Sequence, residues 1–140
     1  MKKEDYYVYP AVLTYEDGYD IGVTFPDLPG CATSGADEKE ALSMAKEALS
    51  LHLYGLETDG DEIPTPSTFK KVQSEIEENE CVIFVEVFMP AIRMSQANKS
   101  VNRTVTLPMW LNAKALECGV NFSQTLQNAL IEQLDIRENI

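Results

Sequence analysis

Near the C-terminus, the hydrophobic and polar positions first alternate and then change to a helical spacing. Over residues 100–106, valines and an arginine take one face, and the other face is polar. Pro108 then opens a helix, Gly119 ends it, and Asn121 caps a second helix that runs to about Leu134. The pattern predicts a β-α-α unit. The polar face of its strand consists of Asn102, Thr104 and Thr106.

One strand followed by two short helices cannot satisfy its backbone or bury its apolar side in a single copy. We therefore expect two copies to pair into an antiparallel ribbon, and such a ribbon fits the major groove of DNA. The polar face would read base edges, and the first amides of the second helix would bind phosphate. The alternative is an oligomerisation module that never contacts DNA. The helix-start amides are those of Asn121, Phe122 and Ser123, and the nearest cations are Lys99 and Arg103.

The first part of the chain predicts a three-stranded meander. Residues 6–15 are rich in aromatic and β-branched types, and Asp17-Gly18 is a hairpin signal. Residues 19–25 alternate, with Tyr19, Ile21, Val23 and Phe25 expected to point inward. A short third strand is expected over residues 31–34.

A long amphipathic helix and a further strand follow the meander. Asp37 and Glu40 form a capping box, and the helix is expected to run to about Leu56. Residues 81–88 form the strongest strand pattern, apolar on both faces except at Glu86, so we expect both faces to be covered. The apolar face of the helix comprises Ala41, Leu42, Ala45, Ala48, Leu49, Leu53 and Leu56.

The turn between the second and third strands is a candidate docking site. Its two prolines would hold an acid and an apolar side chain in a fixed, exposed position, where a basic partner could dock with little ordering cost. A plain strand connection is the alternative. The residues concerned are Phe25, Pro26, Asp27, Leu28 and Pro29.

Charge divides the chain into two parts. Residues 1–97 hold 7 Lys/Arg against 19 Asp/Glu, whereas residues 98–140 hold 4 against 4, so the whole net charge of −12 lies in the first part. That part would repel phosphate and attract a basic partner. The three cysteines are too scattered for a disulfide framework, no apolar run is long enough for a membrane, and no signal-peptide core follows Met1. We therefore expect a cytoplasmic protein.

The sequence offers little support for catalysis or cofactor binding. His52 is the only histidine and falls beside the apolar face of the long helix, where a core-edge role is the commoner one. His52 and three distant cysteines have no metal-ligand spacing. Most carboxylates fall at turns and caps, where a solvated role is favoured over a two-metal site. We expect no enzyme, no metal and no cofactor.

These residues resemble the HicB antitoxin family, and the resemblance covers nearly the whole chain. In the N-terminal part it rests on the hairpin Tyr19–Phe25, the Pro-Asp-Leu-Pro-Gly-Cys run at 26–31, Thr33–Gly35 and Glu40–Leu42. In the C-terminal part it rests on residues 101–108 with Trp110 and on residues 119–126, which are similar to the ribbon-helix-helix tail of one branch of that family.

The resemblance implies an α+β protein that acts as a type II antitoxin. An N-terminal β-β-β-α-β domain with a partial ribonuclease H-like fold (1–90) would mask a HicA-like, mRNA-cleaving toxin. After a hinge (91–98), a C-terminal ribbon-helix-helix domain (99–136) would form a homodimer, bind operator DNA and repress the operon. Whether dimers pair further stays open. The ribbon positions that face DNA correspond to Asn102, Thr104 and Thr106, none of which is basic, a departure from the usual ribbon.

Two other functions remain open at this point. One is a standalone ribbon-helix-helix regulator whose N-terminal domain senses a ligand. The other is a relict ribonuclease H-like nuclease, although the full carboxylate set of such an enzyme is not evident.

Overall fold

A computed structural model describes residues 4–136 as a mixed α+β chain with one antiparallel sheet. The chain divides into two compact units, residues 1–100 (unit 1) and residues 101–140 (unit 2). Met1–Lys3, in the segment where no signal-peptide core is expected, lie outside the described residues, as do residues 137–140. Among residues 4–136, no helix has the length and apolarity that a membrane crossing requires.

The sheet of unit 1 has four antiparallel strands in the order β3-β2-β1-β4. The predicted meander is present, with the third strand shifted by one residue, and the fourth strand pairs along its whole length with the first. This places the last strand of the unit at one edge of the sheet. The strands are β1 (Tyr6–Thr14), β2 (Ile21–Thr24), β3 (Ala32–Gly35) and β4 (Glu80–Phe88).

The long helix α1 (Glu38–Asp59) packs across one face of this sheet. The predicted N-cap is present: the Glu40 amide donates to Asp37 Oδ1 at 2.8 Å. β3 and α1 meet at Gly35, where a Cβ atom would lie 2.3 Å from the amide nitrogen of Ala41. The tight strand-to-helix connection therefore requires a residue without a side chain at this position.

The predicted apolar stripe of α1 faces the core, with Ala48 and Leu56 partly buried, except at Leu42, which is exposed. Leu42 lies about 100° around the helix from its neighbour Ala41, so it falls just outside the stripe that faces the sheet. Tyr19 is also exposed, contrary to expectation, because it precedes the first paired residue of β2.

Only one face of the sheet forms the main core. Against α1 lie the inward side chains of three strands, whereas Phe84, Glu86 and Phe88 on β4 are exposed. The expectation that β4 is covered on both faces is therefore wrong, because its outer face has only the five-residue helix α2 (Phe69–Gln73) beside it. The buried inward side chains include Tyr7, Tyr9, Ala11, Leu13, Val23, Val85 and Val87.

The expected hinge at residues 91–98 is mostly helical. Helix α3 (Met89–Ala97) follows β4 directly, with Pro90 in its first turn, where a missing amide hydrogen costs no helix bond. Met89 is fully buried and its amide donates to the Asp5 carbonyl at 2.7 Å. Arg93 then joins α3 to α1: its guanidinium donates to both oxygens of the Glu57 carboxylate.

Unit 2 contains helices α4 (Met109–Glu117) and α5 (Phe122–Gln133). Residues 101–107 form no strand in the single chain, since a strand needs a ladder partner. Asn121 caps α5 as predicted, accepting a bond of 3.0 Å from the Gln124 amide. The Gln124 side chain does not close a capping box, because its Nε2 donates to Asn128 instead.

Pro108 occupies the cap of α4 rather than its first helical position. Gly119, with φ of 68°, provides the left-handed exit from α4 that the sequence predicts.

Candidate functional site

The proline-bounded turn after β2 is built into the core. Leu28 donates its amide to the Phe25 carbonyl at 3.0 Å, and Cys31 donates to Leu28 at 3.0 Å. The side chains of all three residues are buried, and burial raises the pKa of the Cys31 thiol. The expected exposed presentation is therefore wrong for Phe25 and Leu28. Of the candidate docking residues, Pro26 and Pro29 remain exposed.

Asp27 of the same turn is used inside the molecule. Its carboxylate accepts a bond of 2.8 Å from the Ser67 amide and one of 2.5 Å from the Ser67 hydroxyl. Both oxygens thus fasten the turn to the connector between α1 and α2. Asp27 is only partly exposed, so it is not the freely presented acid that the sequence suggests.

Unit 2 contains an open apolar groove of about 540 Å³. None of residues 101–136 is buried, so every apolar side chain in the groove retains contact with solvent. An apolar surface of this kind within a unit this small lacks a covering element. The groove is lined by Arg103, Val105, Leu107, Leu111, Ala115, Val120, Phe122, Ser123, Thr125, Leu126 and Ala129.

The extended segment before α4 presents its two sides differently. Arg103, Val105 and Leu107 line the groove, while the polar residues that alternate with them do not. Asn102, Thr104 and Thr106 are all exposed. The segment therefore keeps the two-sided character that the sequence predicts, even though it is not paired.

The two candidate cations belong to different units. Arg103 belongs to the groove side of the segment. Lys99 belongs to unit 1, where it lines a depression between α1 and α3 together with Lys46 and Ser95. Within unit 2, Arg103 therefore does not share the face of Asn102 and Thr104.

The start of α5 offers amides without intrahelical acceptors. Those of Phe122 and Ser123 fall in the first turn, and Asn121 caps the turn through its side chain. Such a helix terminus carries a partial positive charge and binds phosphate readily.

The described residues contain no group of three or more His, Cys, Asp and Glu side chains arranged to hold a metal ion. His52 lies within α1 as a half-buried residue, beside the core as expected.

The exposed side of the sheet carries a feature that the sequence analysis missed. Four large apolar side chains cluster there, and we call them the outer patch. The Tyr6 and Phe88 rings lie 5.7 Å apart between centroids. The alternation of side chains along β4 could have predicted that Phe84 and Phe88 share one face. The strand is apolar on both faces, however, and that pattern predicts burial. The outer patch consists of Tyr6, Val8, Phe84 and Phe88.

Comparison with known proteins matches residues 9–134 to the family model described as HicB-like antitoxin of bacterial toxin–antitoxin systems. An uncharacterized 14.9 kDa protein of Haemophilus phage HP1 is 32% identical over 99 residues, covering 70% of this chain and 72% of that protein. Antitoxin HicB 2 of Photorhabdus laumondii is 48% identical over 61 residues, covering 43% of this chain and 42% of that protein.

Two solved structures resemble nearly the whole chain. A toxin–antitoxin complex from Streptococcus pneumoniae has a TM-score of 0.57 and 27% identity, covering 91% of this chain and 99% of that one. Antitoxin HicB of Burkholderia pseudomallei has a TM-score of 0.57 and 24% identity, covering 91% and 98%, and supports the fold. The family match spans both units, and the chain therefore belongs to the HicB-like antitoxins of bacterial toxin–antitoxin systems.

Proposed function

We propose that this antitoxin neutralises a HicA-like, mRNA-cleaving toxin through unit 1 and represses its own operon through unit 2. In this proposal unit 1 has a partial ribonuclease H-like fold, and unit 2 is a ribbon-helix-helix module that functions as a homodimer. Both tasks belong to the cytoplasm, where messenger RNA and operon DNA are found.

The observation that carries the DNA-binding part is the open groove of unit 2. Its apolar lining is solvated in a single copy, and a second copy of the same groove would cover it. Two copies related by a twofold axis would also place their extended segments side by side, so that each supplies the ladder partner the other lacks.

A ribbon formed in this way would turn Asn102, Thr104 and Thr106 away from the apolar interior. The Asn102 amide can bond adenine bidentately, and the threonine methyl groups can contact thymine methyls. The helix-start amides of Phe122 and Ser123 would hold the flanking phosphates. Because Arg103 lies on the groove side, long basic side chains contribute little to base reading in this proposal.

The likeness to a chain of a toxin–antitoxin complex supports a toxin partner for unit 1. Charge supports it as well, since residues 1–97 carry the whole net charge of −12 and an RNA-cleaving toxin needs a basic surface for its substrate.

The proposal is tested by separating the two tasks. The double variant Asn102→Ala with Thr104→Ala loses two of the three proposed base-reading side chains, so we expect operator affinity to fall by a factor of about 10 to 100. Neutralisation of the toxin encoded beside this gene should be unchanged. The measurements are DNA binding at fixed salt concentration and rescue of translation in a cell-free system.

Asn112→Ala, which removes an exposed amide from α4, serves as the matched control and should leave both activities intact. Equal loss of both activities in a folded double variant would contradict the division of labour. Failure of the wild-type chain to bind any toxin would refute the antitoxin assignment.

A further inference from the structure

Strand β4 has an edge without a partner. It is nine residues long, and among residues 4–136 no strand pairs with the side of it that faces away from β1. Natural edge strands are usually short or carry lysine or proline, which discourage further pairing. The segment Glu80–Phe88 contains neither residue type.

The hydrogen-bond phase of the β1–β4 ladder shows which groups lie free. Just beyond its two ends, Met89 donates to Asp5 at 2.7 Å and Tyr15 donates to Asn79 at 2.9 Å. With Tyr7 opposite Val87 in the register, these bonds make the odd-numbered residues of β4 the hydrogen-bonded ones. The even-numbered residues therefore direct their amide and carbonyl groups to the open edge. Those free to pair with a further strand are Val82, Phe84 and Glu86, because the Glu80 amide donates to the Glu77 carbonyl at 3.1 Å and Phe88 is the N-cap of α3.

The same even-numbered residues carry side chains on the outer face. Phe84 is 57% exposed, and Tyr6, opposite Phe88, is 54% exposed. The Phe69 ring of α2 borders the outer patch, 5.4 Å from the Phe84 ring. Free backbone groups and an apolar patch thus lie side by side, and this combination suits an added strand: the backbone provides affinity and alternate side chains provide specificity.

Charge identifies the occupant. Residues 69–92, which include α2 and β4, contain five glutamates against two lysines, Lys70 and Lys71 of α2, and Glu86 lies between the aromatic side chains of the outer patch. The next cation along the chain, Arg93, is already bonded to Glu57 and Asp5. A second copy of β4 would bring like charges together in one ladder, whereas a basic segment would be attracted.

We propose that the free edge of β4 and the outer patch receive an extended, basic segment of the toxin by strand addition. This inference rests on the proposed antitoxin function and gives it a location different from the turn after β2. The bound segment would place apolar side chains on the outer patch and a lysine or arginine opposite Glu86.

The test uses the full-length chain and, as the probe, the purified basic toxin encoded beside this gene. Phe84→Ser with Phe88→Ser removes exposed rings and should weaken toxin binding by at least about tenfold. Glu86→Lys should weaken it by a similar factor and should make the association rate less dependent on salt. Leu42→Ser removes an exposed apolar side chain from α1 and is the matched control.

Urea unfolding monitored by tyrosine circular dichroism verifies that unit 1 is folded in each variant, and operator binding should remain at the wild-type level. If wild-type protein binds the toxin and both variants bind it equally well, the location is wrong while the antitoxin function stands. If wild-type protein does not bind the toxin, the function itself fails. If instead the variants halve the mass of the free antitoxin in sedimentation, the edge pairs with a second copy and the inference is overturned.

Discussion

The Tyr9 side chain is fully buried on the inner face of the sheet, and its hydroxyl donates to the Pro64 carbonyl in the connector after α1. Burial raises the pKa of Tyr9 to about 12, because the phenolate is poorly solvated there. A raised pKa means that the folded state favours the neutral phenol. The resulting stabilisation is fully present below pH 10 and is lost as the pH rises from 10 to 12.

Tyr9→Phe should therefore flatten the alkaline loss of stability. Near pH 8 the variant should unfold more easily by about 1 kcal/mol, through loss of one hydrogen bond. Between pH 10 and 12 the wild-type chain should lose about 2–3 kcal/mol more than the variant. Urea unfolding monitored by tyrosine circular dichroism measures this in unit 1, because all six tyrosines lie there.

Tyr19→Phe, at an exposed position, is the control and should follow the wild-type pH dependence. An unchanged alkaline slope in Tyr9→Phe would contradict the assignment.

At the residue scale, the sequence predicts local chemistry well and side-chain direction less well. Asp37 and Asn121 cap helices as predicted, because a cap depends on a few neighbouring residues. The direction of Leu28 was predicted wrongly, and the engagement of Asp27 depends on Ser67, forty residues away. No local pattern contains that information.

At the scale of elements, α3 is held in unit 1 by the buried Met89 and by Arg93. Arg93 Nη2 lies 2.6 Å from a Glu57 carboxylate oxygen whose side chain is 2% exposed, and Arg93 Nη1 lies 3.1 Å from Asp5. Hydrogen bonding to Glu57 raises the pKa of Arg93 further. The pair ties the end of α1, the approach to β1 and helix α3 together.

Arg93→Met should destabilise unit 1 by about 3–5 kcal/mol, because it leaves the Glu57 carboxylate buried without a partner. Adding Glu57→Leu to that variant should recover most of the loss. Lys46→Met, which removes an exposed cation from α1, should change stability by less than about 0.5 kcal/mol. Urea unfolding of the full-length chain gives all three values, and equal losses in the single and double variants would refute the explanation.

The strands and α1 of unit 1 were predicted from their hydrophobic periodicity, whereas helix α3 was not. The strands and α1 have regular apolar faces, and such a face must be buried whatever the arrangement of the other elements. The segment at 89–97 is apolar only at scattered positions, so its helix depends on Met89 and Arg93 finding partners elsewhere in the unit. Such tertiary stabilisation is not visible in a single-sequence pattern.

At the scale of the molecule, unit 2 has apolar helices but no interior of its own. If the proposed pairing is correct, its stability must depend on protomer concentration. Trp110 is the only tryptophan, so its fluorescence reports on unit 2, whereas the tyrosines report on unit 1. The charge contrast between the two parts of the chain predicted two units. Only the structure shows that none of residues 101–136 is buried.

Leu111→Ser together with Leu126→Ser should abolish pairing. Both side chains line the groove, and their loss in two copies should weaken the dimer by at least about a hundredfold. Sedimentation and operator binding measure the outcome. Met109→Ser is the control, since Met109 is 90% exposed and lies outside the groove. A double variant that still sediments as the wild type would exclude this pairing mode.

The glutamates of β4 also affect how readily the chain aggregates. An uncapped strand edge beside aromatic side chains is the kind of surface on which copies stack into fibrils, and charged gatekeepers oppose that process. Two kinds of substitution at Glu80 and Glu86 would then be harmful. Neutral side chains would favour fibril formation, and basic side chains would repel the basic toxin segment. The two glutamates would thus keep the free antitoxin soluble before assembly as well as attract its partner.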